Sequence, residues 1–249
     1  MKERTILISG GTAGLGLELA QLLAQDNRVI VFGRTPGAAT PGQRFEQFTA
    51  DVADLDSLLR LREALAQRQV VVDVLINNAG VFDSGDVFKP AAHAASETIV
   101  ATNITGPLNL LRVFNDDLAR SRNPVVVNMS SVLAYAPAGF CPVYSGSKAF
   151  LSAFSKGLRA AGSARGLRVV EVVLPMLDTS MTSAIRIAGL NKLAPRAAAE
   201  QIVRELAANA SQIRIGEAGI VMKLLRLIPA RIQARFDAIS QQYLKDQPL

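Results

Sequence analysis

The chain has 249 residues, 49% hydrophobic and 19% charged, enough to bury a full core within one large α/β domain. Cys141 is the only cysteine and His93 the only histidine, which excludes a disulfide framework, leaves a zinc site mostly to carboxylates, and makes metal an unexpected partner. The net charge of +6 is scattered along the chain rather than gathered in a basic run or an aromatic-interleaved patch, which argues against nucleic acid and fits mild attraction of an anionic small molecule.

Residues 1–11 lack the length and cleavage pattern of a signal peptide, and no apolar run approaches the roughly 18 residues of a spanning helix. A cytoplasmic protein without membrane association is the expectation. The first predicted strand, residues 5–9, runs directly into Ser9-Gly-Gly-Thr-Ala-Gly-Leu-Gly16. Gly10, Thr12, Ala13, Gly14, Leu15 and Gly16 then open a helix whose apolar face is Leu15, Leu19, Leu22 and Leu23. Backbone N–H groups at such a helix start can approach a pyrophosphate without side-chain obstruction, so this turn is read as a phosphate cradle.

A second strand, residues 28–32, ends in Gly33-Arg34-Thr35. In a doubly wound sheet that tip meets an adenosine ribose, where an acid favours NAD and a guanidinium can grip a 2′-phosphate. Arg34, with hydroxyls from Thr12 and Thr35, therefore points to NADP(H). The Pro-, Gly- and Ala-rich stretch 35–43 is read as a surface loop. A third strand follows at 45–49, then Asp51-Val52, then a helix whose predicted inner face is Leu55, Leu58, Leu59, Arg62 and Leu65.

The fourth strand, 74–77, continues into Asn77-Asn78-Ala79-Gly80, and the fifth, 125–129, into Ser130-Ser131. Tyr144-Ser-Gly-Ser-Lys148 puts a phenol and an ammonium at i and i+4, on one helix face. A free phenol titrates near 10, so a neighbouring ammonium is expected to favour the phenolate and suit Tyr144 to acid/base work. Further strands are predicted at 169–174 and 212–215. The alternation of short β-branched runs with helical periods predicts an α/β fold, a doubly wound parallel sheet with ligands at the carboxyl ends of its strands.

These motifs together resemble those of the short-chain dehydrogenase/reductase family over residues 6–216. The glycine spacing is similar to T-G-x-x-x-G-x-G with Ser9 in the first position, residues 77–80 match N-N-A-G, and residues 144–148 match Y-x-x-x-K. The interval of 13 residues from Ser131 to Tyr144 is the family's and selects Ser131 over Ser130. The resemblance implies a Rossmann-like sheet of about seven strands in the order 3-2-1-4-5-6-7, filling a single catalytic domain over 1–249. It implies a tetrad of Asn103, Ser131, Tyr144 and Lys148: Ser131 binds a substrate carbonyl, Lys148 also holds the nicotinamide ribose, and Asn103 holds a relay water. Asp51 and Val52 are expected at the adenine, and Asn78, Ala79 and Gly80 beside the cofactor. One departure stands out. Where the family has P-G-x-V-x-T, this chain has Leu174-Pro-Met-Leu-Asp-Thr179, so Pro175 removes a backbone donor while Leu177 and Thr179 are still expected at the carboxamide.

The implied activity is an NADPH-dependent reduction of a carbonyl compound, or the reverse oxidation of an alcohol. The alternative is an NADP-sensing regulator without turnover. A lid at 180–195 with Met181, Ile185, Ile187 and Leu190, together with Val81, Phe82, Val132, Leu133, Phe140 and Cys141, either lines an apolar substrate pocket or packs on itself. Cys141 has no basic neighbour in sequence and is read as a buried thiol. The extension 217–249 contains a basic, apolar stretch, 220–236, expected to pack on the lid or a partner subunit rather than on a membrane. The resemblance further implies a homodimer or homotetramer, built by pairing the helices that begin near His93 and Tyr144.

Overall fold

The computed structural model describes residues 1–37, 42–187 and 191–246; Leu190 and part of the loop after Thr35 lie outside the described residues. The strands are β1 (Thr5–Ser9), β2 (Arg28–Gly33), β3 (Glu46–Thr49), β4 (Val74–Asn77), β5 (Val125–Ser131), β6 (Arg168–Leu174) and β7 (Gln212–Arg214). They form one seven-stranded sheet in the order β3-β2-β1-β4-β5-β6-β7, every pair parallel. This is the expected Rossmann-like order. Successive strands are added toward one edge from β1 to β3 and toward the other from β4 to β7, and the crevice at the switch point between β1 and β4 is where ligands bind in open α/β sheets.

The central strands are apolar on both faces because helices cover both. On one side Ile6, Ile8, Val29 and Val31 pack with α1 (Gly14–Leu23) and α6 (Pro195–Ala207). On the other, Leu7, Ile30 and Phe32 pack with α2 (Leu55–Gln67) and α4 (Gly106–Arg120). Ile6 and Ile8 face one layer and Leu7 the other, as the two-residue period of a strand requires.

The inner face of α2 differs from the expected one. Leu58, Leu61 and Leu65 are buried, whereas Leu59 is 48% exposed. Asp54 caps the helix by accepting from the N–H groups of Asp56 and Ser57; from that start, positions 58, 61 and 65 turn inward. Arg62 does face inward, but through an ion pair with Asp117 of α4, a fully buried carboxylate that also accepts from the Val72 N–H at 3.3 Å.

Between β4 and β5 the chain forms α3 (Ala91–Ile99), a π-helical turn over Val100–Thr105, and α4. After β5 comes α5 (Pro142–Gly162), and after β7 the chain ends in α7 (Ala218–Leu227) and α8 (Pro229–Lys245). The inner side of these last two helices packs beside the strand ends. Ala218, Met222 and Phe236 contact the cluster of Val132 and Val173, while Tyr243 joins Phe140, Cys141 and Ile185. Ser84 and Tyr243 share a hydrogen bond of 2.9 Å, and Ser240 Oγ accepts from the Gly139 N–H at 2.8 Å. Phe236, at the end of the 220–236 stretch, also packs into the cluster that holds Ile185, so the inner side of that stretch meets the segment expected to form a lid. Among the described residues no helix is long and apolar enough to cross a membrane.

Candidate active site

The turn after β1 is shaped by what its glycines exclude. Gly10 and Gly14 adopt φ of +64° and +53°, in the left-handed region. A Cβ on Gly10 would stand 2.9 Å from Ala79 Cα, and one on Gly16 would overlap the Gly10 carbonyl oxygen. Asn78 fixes the turn by donating from Nδ2 to the carbonyls of Ser9 and Gly10, at 3.0 and 2.9 Å. Ser9 Oγ in return accepts from the N–H groups of Asn78 and Ala79, both at 3.1 Å. Deeper in the sheet Asn77 Nδ2 donates to Asn128 Oδ1, and Asn128 Nδ2 to Ser155 Oγ. Asparagine amides thus tie β1, β4, β5 and α5 together beneath the cradle.

A cavity of about 510 Å³ runs from this turn across the strand ends. Gly10, Thr12, Ala13, Gly14, Leu15, Gly16, Arg34, Thr35, Asp51, Val52, Asn78, Ala79, Gly80, Pro175, Leu177 and Thr179 all line it, as do Ser131, Tyr144 and Lys148. At one end Arg34 is exposed and enters no ion pair among the described residues. A Cβ on Gly33 beside it would lie 2.9 Å from Thr12 Oγ1, so a side chain there would require the Thr12 hydroxyl to turn away. Asp51 Oδ1 accepts from the Ala53 N–H, and Val52 is buried. Thr179 stands against the cradle: a Cβ on Gly14 would be 3.4 Å from its methyl group. Leu177 is pinned by a bridge to Leu193. These groups fit a dinucleotide: a bare backbone turn at a helix start, a free guanidinium at one end and small residues between.

At the other end of the cavity Pro142, in the first turn of α5, fixes the helix start and places Tyr144 at the cavity wall. Lys148 follows one turn later. Its Nζ donates to the Met129 carbonyl at 2.9 Å and lies 5.5 Å from the Tyr144 ring centroid. Burial lowers the Lys148 pKa to about 8. Burial also pushes the Tyr144 phenol above its ordinary value, with the Cys141 thiol group adding a smaller upward push. The expected lowering of Tyr144 by the ammonium is therefore not seen, because desolvation of the phenolate outweighs a cation already engaged with a carbonyl.

Ser131 ends β5 and its Oγ accepts from the Leu133 N–H at 3.1 Å. That bond uses a lone pair and leaves the hydroxyl proton free for a substrate oxygen. Asn103 does not line the cavity. It is fully buried in the π-helical turn, accepts from the Val81 N–H at 2.8 Å, and donates to the Val81 carbonyl and Ser147 Oγ. Ser147 Oγ donates to the Tyr144 carbonyl at 2.7 Å. Asn103 thus clamps the chain after Gly80 to the first turn of α5.

Around Tyr144 the wall is apolar. Phe82 meets the tyrosine edge-on, with centroids 4.8 Å apart. Val81, Val132, Leu133 and Phe140, with Met181 and Ile187 from the segment after Thr179, complete most of the expected lining. Ile185 is buried in the cluster around Tyr243 instead, and Cys141 opens onto a separate cavity of about 260 Å³. Burial raises the Cys141 pKa to about 12, which makes it an inert thiol. Val221, Phe236 and Ile239 also line the main cavity, from α7 and α8, and the motifs do not announce them. Their signal was the spacing of Phe236, Ile239 and Tyr243, which repeats with helical period past the end of the basic stretch.

A family model described as short chain dehydrogenase matches residues 4–188. Serine 3-dehydrogenase of Agrobacterium fabrum is 36% identical over 184 residues, covering 72% of this chain and 74% of that protein. Acetoacetyl-CoA reductase of Cupriavidus necator is 30% identical over 203 residues, 78% of this chain and 82% of its own. Among solved structures, a short chain dehydrogenase from Burkholderia cenocepacia in complex with NADP superposes with a TM-score of 0.83 at 23% identity, covering 94% of this chain and 98% of that one. That likeness is one of fold. With the family model spanning most of the chain and a relative this similar, the chain belongs to the short-chain dehydrogenase/reductase family and is an oxidoreductase.

Proposed function

We propose that the chain is an NADPH-dependent carbonyl reductase acting on an apolar ketone or aldehyde, with Tyr144 as its proton donor. The observation that carries this reading is that the phosphate cradle and the Ser131–Tyr144–Lys148 group line a single cavity. When bound, NADPH supplies a hydride. The chain's own part is to place the carbonyl and move a proton. Ser131, its oxygen already held by Leu133, donates a hydrogen bond to the carbonyl oxygen. Tyr144, kept protonated by burial, gives that oxygen its proton, help worth about 10²–10⁴-fold. Lys148 holds the ribose and supplies positive charge as the phenol gives up its proton. Asn103 sets the first turn of α5 through Ser147. Both of its amide hydrogens are engaged, so the relay water that the family resemblance implies would use its remaining acceptor capacity. The remaining cradle and strand-end residues hold the cofactor, with Asp51 and Val52 at the adenine and Pro175, Leu177 and Thr179 at the nicotinamide end.

Arg34 and the side-chain-free Gly33 support NADP over NAD, because an acid at position 33 would bind the ribose 2′-hydroxyl and repel a 2′-phosphate, whereas the exposed Arg34 guanidinium can pair with that phosphate. An apolar substrate is supported by charge: Arg34 and Lys148 are the only cations among the described residues lining the cavity. Arg34 is assigned to the cofactor and Lys148 to the proton path. Nothing cationic remains for the carboxylate of an amino acid such as serine, and a buried unpaired carboxylate is costly. The test is NADPH absorbance with purified protein against alkyl ketones, aldehydes, 3-oxoacyl thioesters and, in reverse, serine. Turnover of the apolar ketones is expected; oxidation of serine in preference to apolar alcohols would overturn the substrate assignment.

A further inference from the structure

The last two helices have two unlike sides. Inward, Val221, Phe236 and Ile239 line the cavity. Outward, α7 carries Ile220, Lys223, Leu224 and Leu227 at i, i+3, i+4 and i+7, a single stripe. Ile220 and Leu227 are 61% and 77% exposed, and Ile228 at the turn into α8 is 38% exposed. Lys223, Arg226, Arg231 and Arg235 are all exposed around this turn. None of the four enters an ion pair among the described residues. No acid occurs between Glu217 and Asp237.

We propose that this outward face docks on the surface of an anionic phospholipid bilayer. Exposed aliphatic side chains at a helix turn, ringed by cations of one sign, match what such a surface offers: phosphates for the bases and an acyl boundary for Leu227 and Ile228. A second copy of the chain fits less well, since a two-fold contact would set this cationic patch against itself. Nucleic acid fits less well too, because the outward stripe of α7 is aliphatic and offers no aromatic ring for stacking. The contact is peripheral and reversible, resting on few apolar groups. This revises the expectation that the basic stretch would avoid a membrane: only its inner side is taken up by the fold. Docking would set the same helices that line the cavity beside a reservoir of apolar carbonyl compounds. That last point rests on the proposed substrate, whereas the docking itself does not.

Flotation of the full chain with vesicles tests it without substrate. The protein is expected to float with phosphatidylcholine vesicles containing phosphatidylglycerol at low salt, less as salt rises, and not with phosphatidylcholine alone. Lys223→Ala and Arg226→Ala should each lower partition about fivefold at low salt, and Leu227→Asp should abolish flotation. NADPH turnover of a water-soluble ketone should be unchanged in all three. Failure to float with the anionic vesicles, or flotation of Lys223→Ala and Arg226→Ala like the parent, overturns the proposal. So does a concentration-dependent dimer that Leu227→Asp dissociates without any vesicle binding, which would assign the face to a second copy. A negative flotation result beside normal ketone turnover would leave the proposed activity standing.

Discussion

At the scale of single residues the site depends on burying ionisable groups where ordinary proteins expose them. Lys148 titrates near 8 in the folded chain because burial disfavours its charge, against about 10.4 when free. The unfolded chain therefore binds more protons between those values, so the stability contributed by this group rises with pH across that window, is fully present above about 10.4, and is constant at its lowest below about 8. Lys148→Met keeps the volume and loses the titration. The stability of the parent relative to this variant should climb from pH 7 to pH 10 by up to about 1.4 kcal/mol per pH unit. Chemical denaturation of both proteins at several pH values measures this, and a constant difference would show that the lysine is not buried as a charge. Arg34 makes the opposite case, a cation left in the open. Arg34→Ala should weaken NADPH binding about 10–100-fold, as expected for a lost charge-assisted contact, and leave NADH binding nearly unchanged. Fluorescence titration with both cofactors decides it; equal loss for both would remove the phosphate role. The places of Tyr144 and Lys148 on one helix face were legible from their spacing, and that of Arg34 from the end of the second strand. The direction in which Tyr144 is perturbed was not, because the spacing puts two groups on one face without saying which of desolvation and charge prevails.

Among elements, the turn from β1 into α1 shows most directly how local sequence becomes a binding surface. Gly16→Ala would drive a methyl group into the Gly10 carbonyl and the Asn78 amide that holds it. A loss of roughly 1–3 kcal/mol of stability is expected for such overpacking, together with loss of NADPH binding. Gly157→Ala is the control, since a Cβ there meets nothing within 4 Å and the middle of α5 should gain about 0.5–1 kcal/mol. Thermal unfolding beside cofactor titration reads both, and a Gly16→Ala protein that still binds NADPH would show that the cradle tolerates a side chain. The strands were legible to within a residue or two because two-sided burial writes continuous apolar runs. The inner face of α2 was misplaced by one leucine: Leu58 and Leu59 are equally apolar, and only the capped start at Asp54 decides which turns inward. The π-helical turn around Asn103 left no signal at all. It is a change in backbone hydrogen bonding that residue types do not encode, yet it carries the side chain that joins Val81 to Ser147.

Over the whole molecule, the sheet order places the glycine turn after β1, Arg34 after β2 and Tyr144 and Lys148 after β5 along one crevice, and this much followed from the alternation of elements. The helical covering was less legible. Val221, Phe236 and Ile239 come from a segment lying beyond the residues that match the family model, so no motif marked them. Their inward direction is a product of tertiary packing, anchored by Tyr243 on Phe140 and by Ser240 on Gly139. The arrangement predicts a cofactor site that works without the phenol and a reaction that does not. NADPH oxidation by an alkyl ketone, followed for the parent and for Tyr144→Phe with NADPH binding measured on both, tests this most directly. Tyr144→Phe is expected to keep its NADPH affinity and to lose about 10²–10⁴-fold in kcat/KM. Equal turnover by the two proteins, or tight NADPH binding with no carbonyl reduced by either, would contradict it, the second result pointing instead to a chain that senses the cofactor.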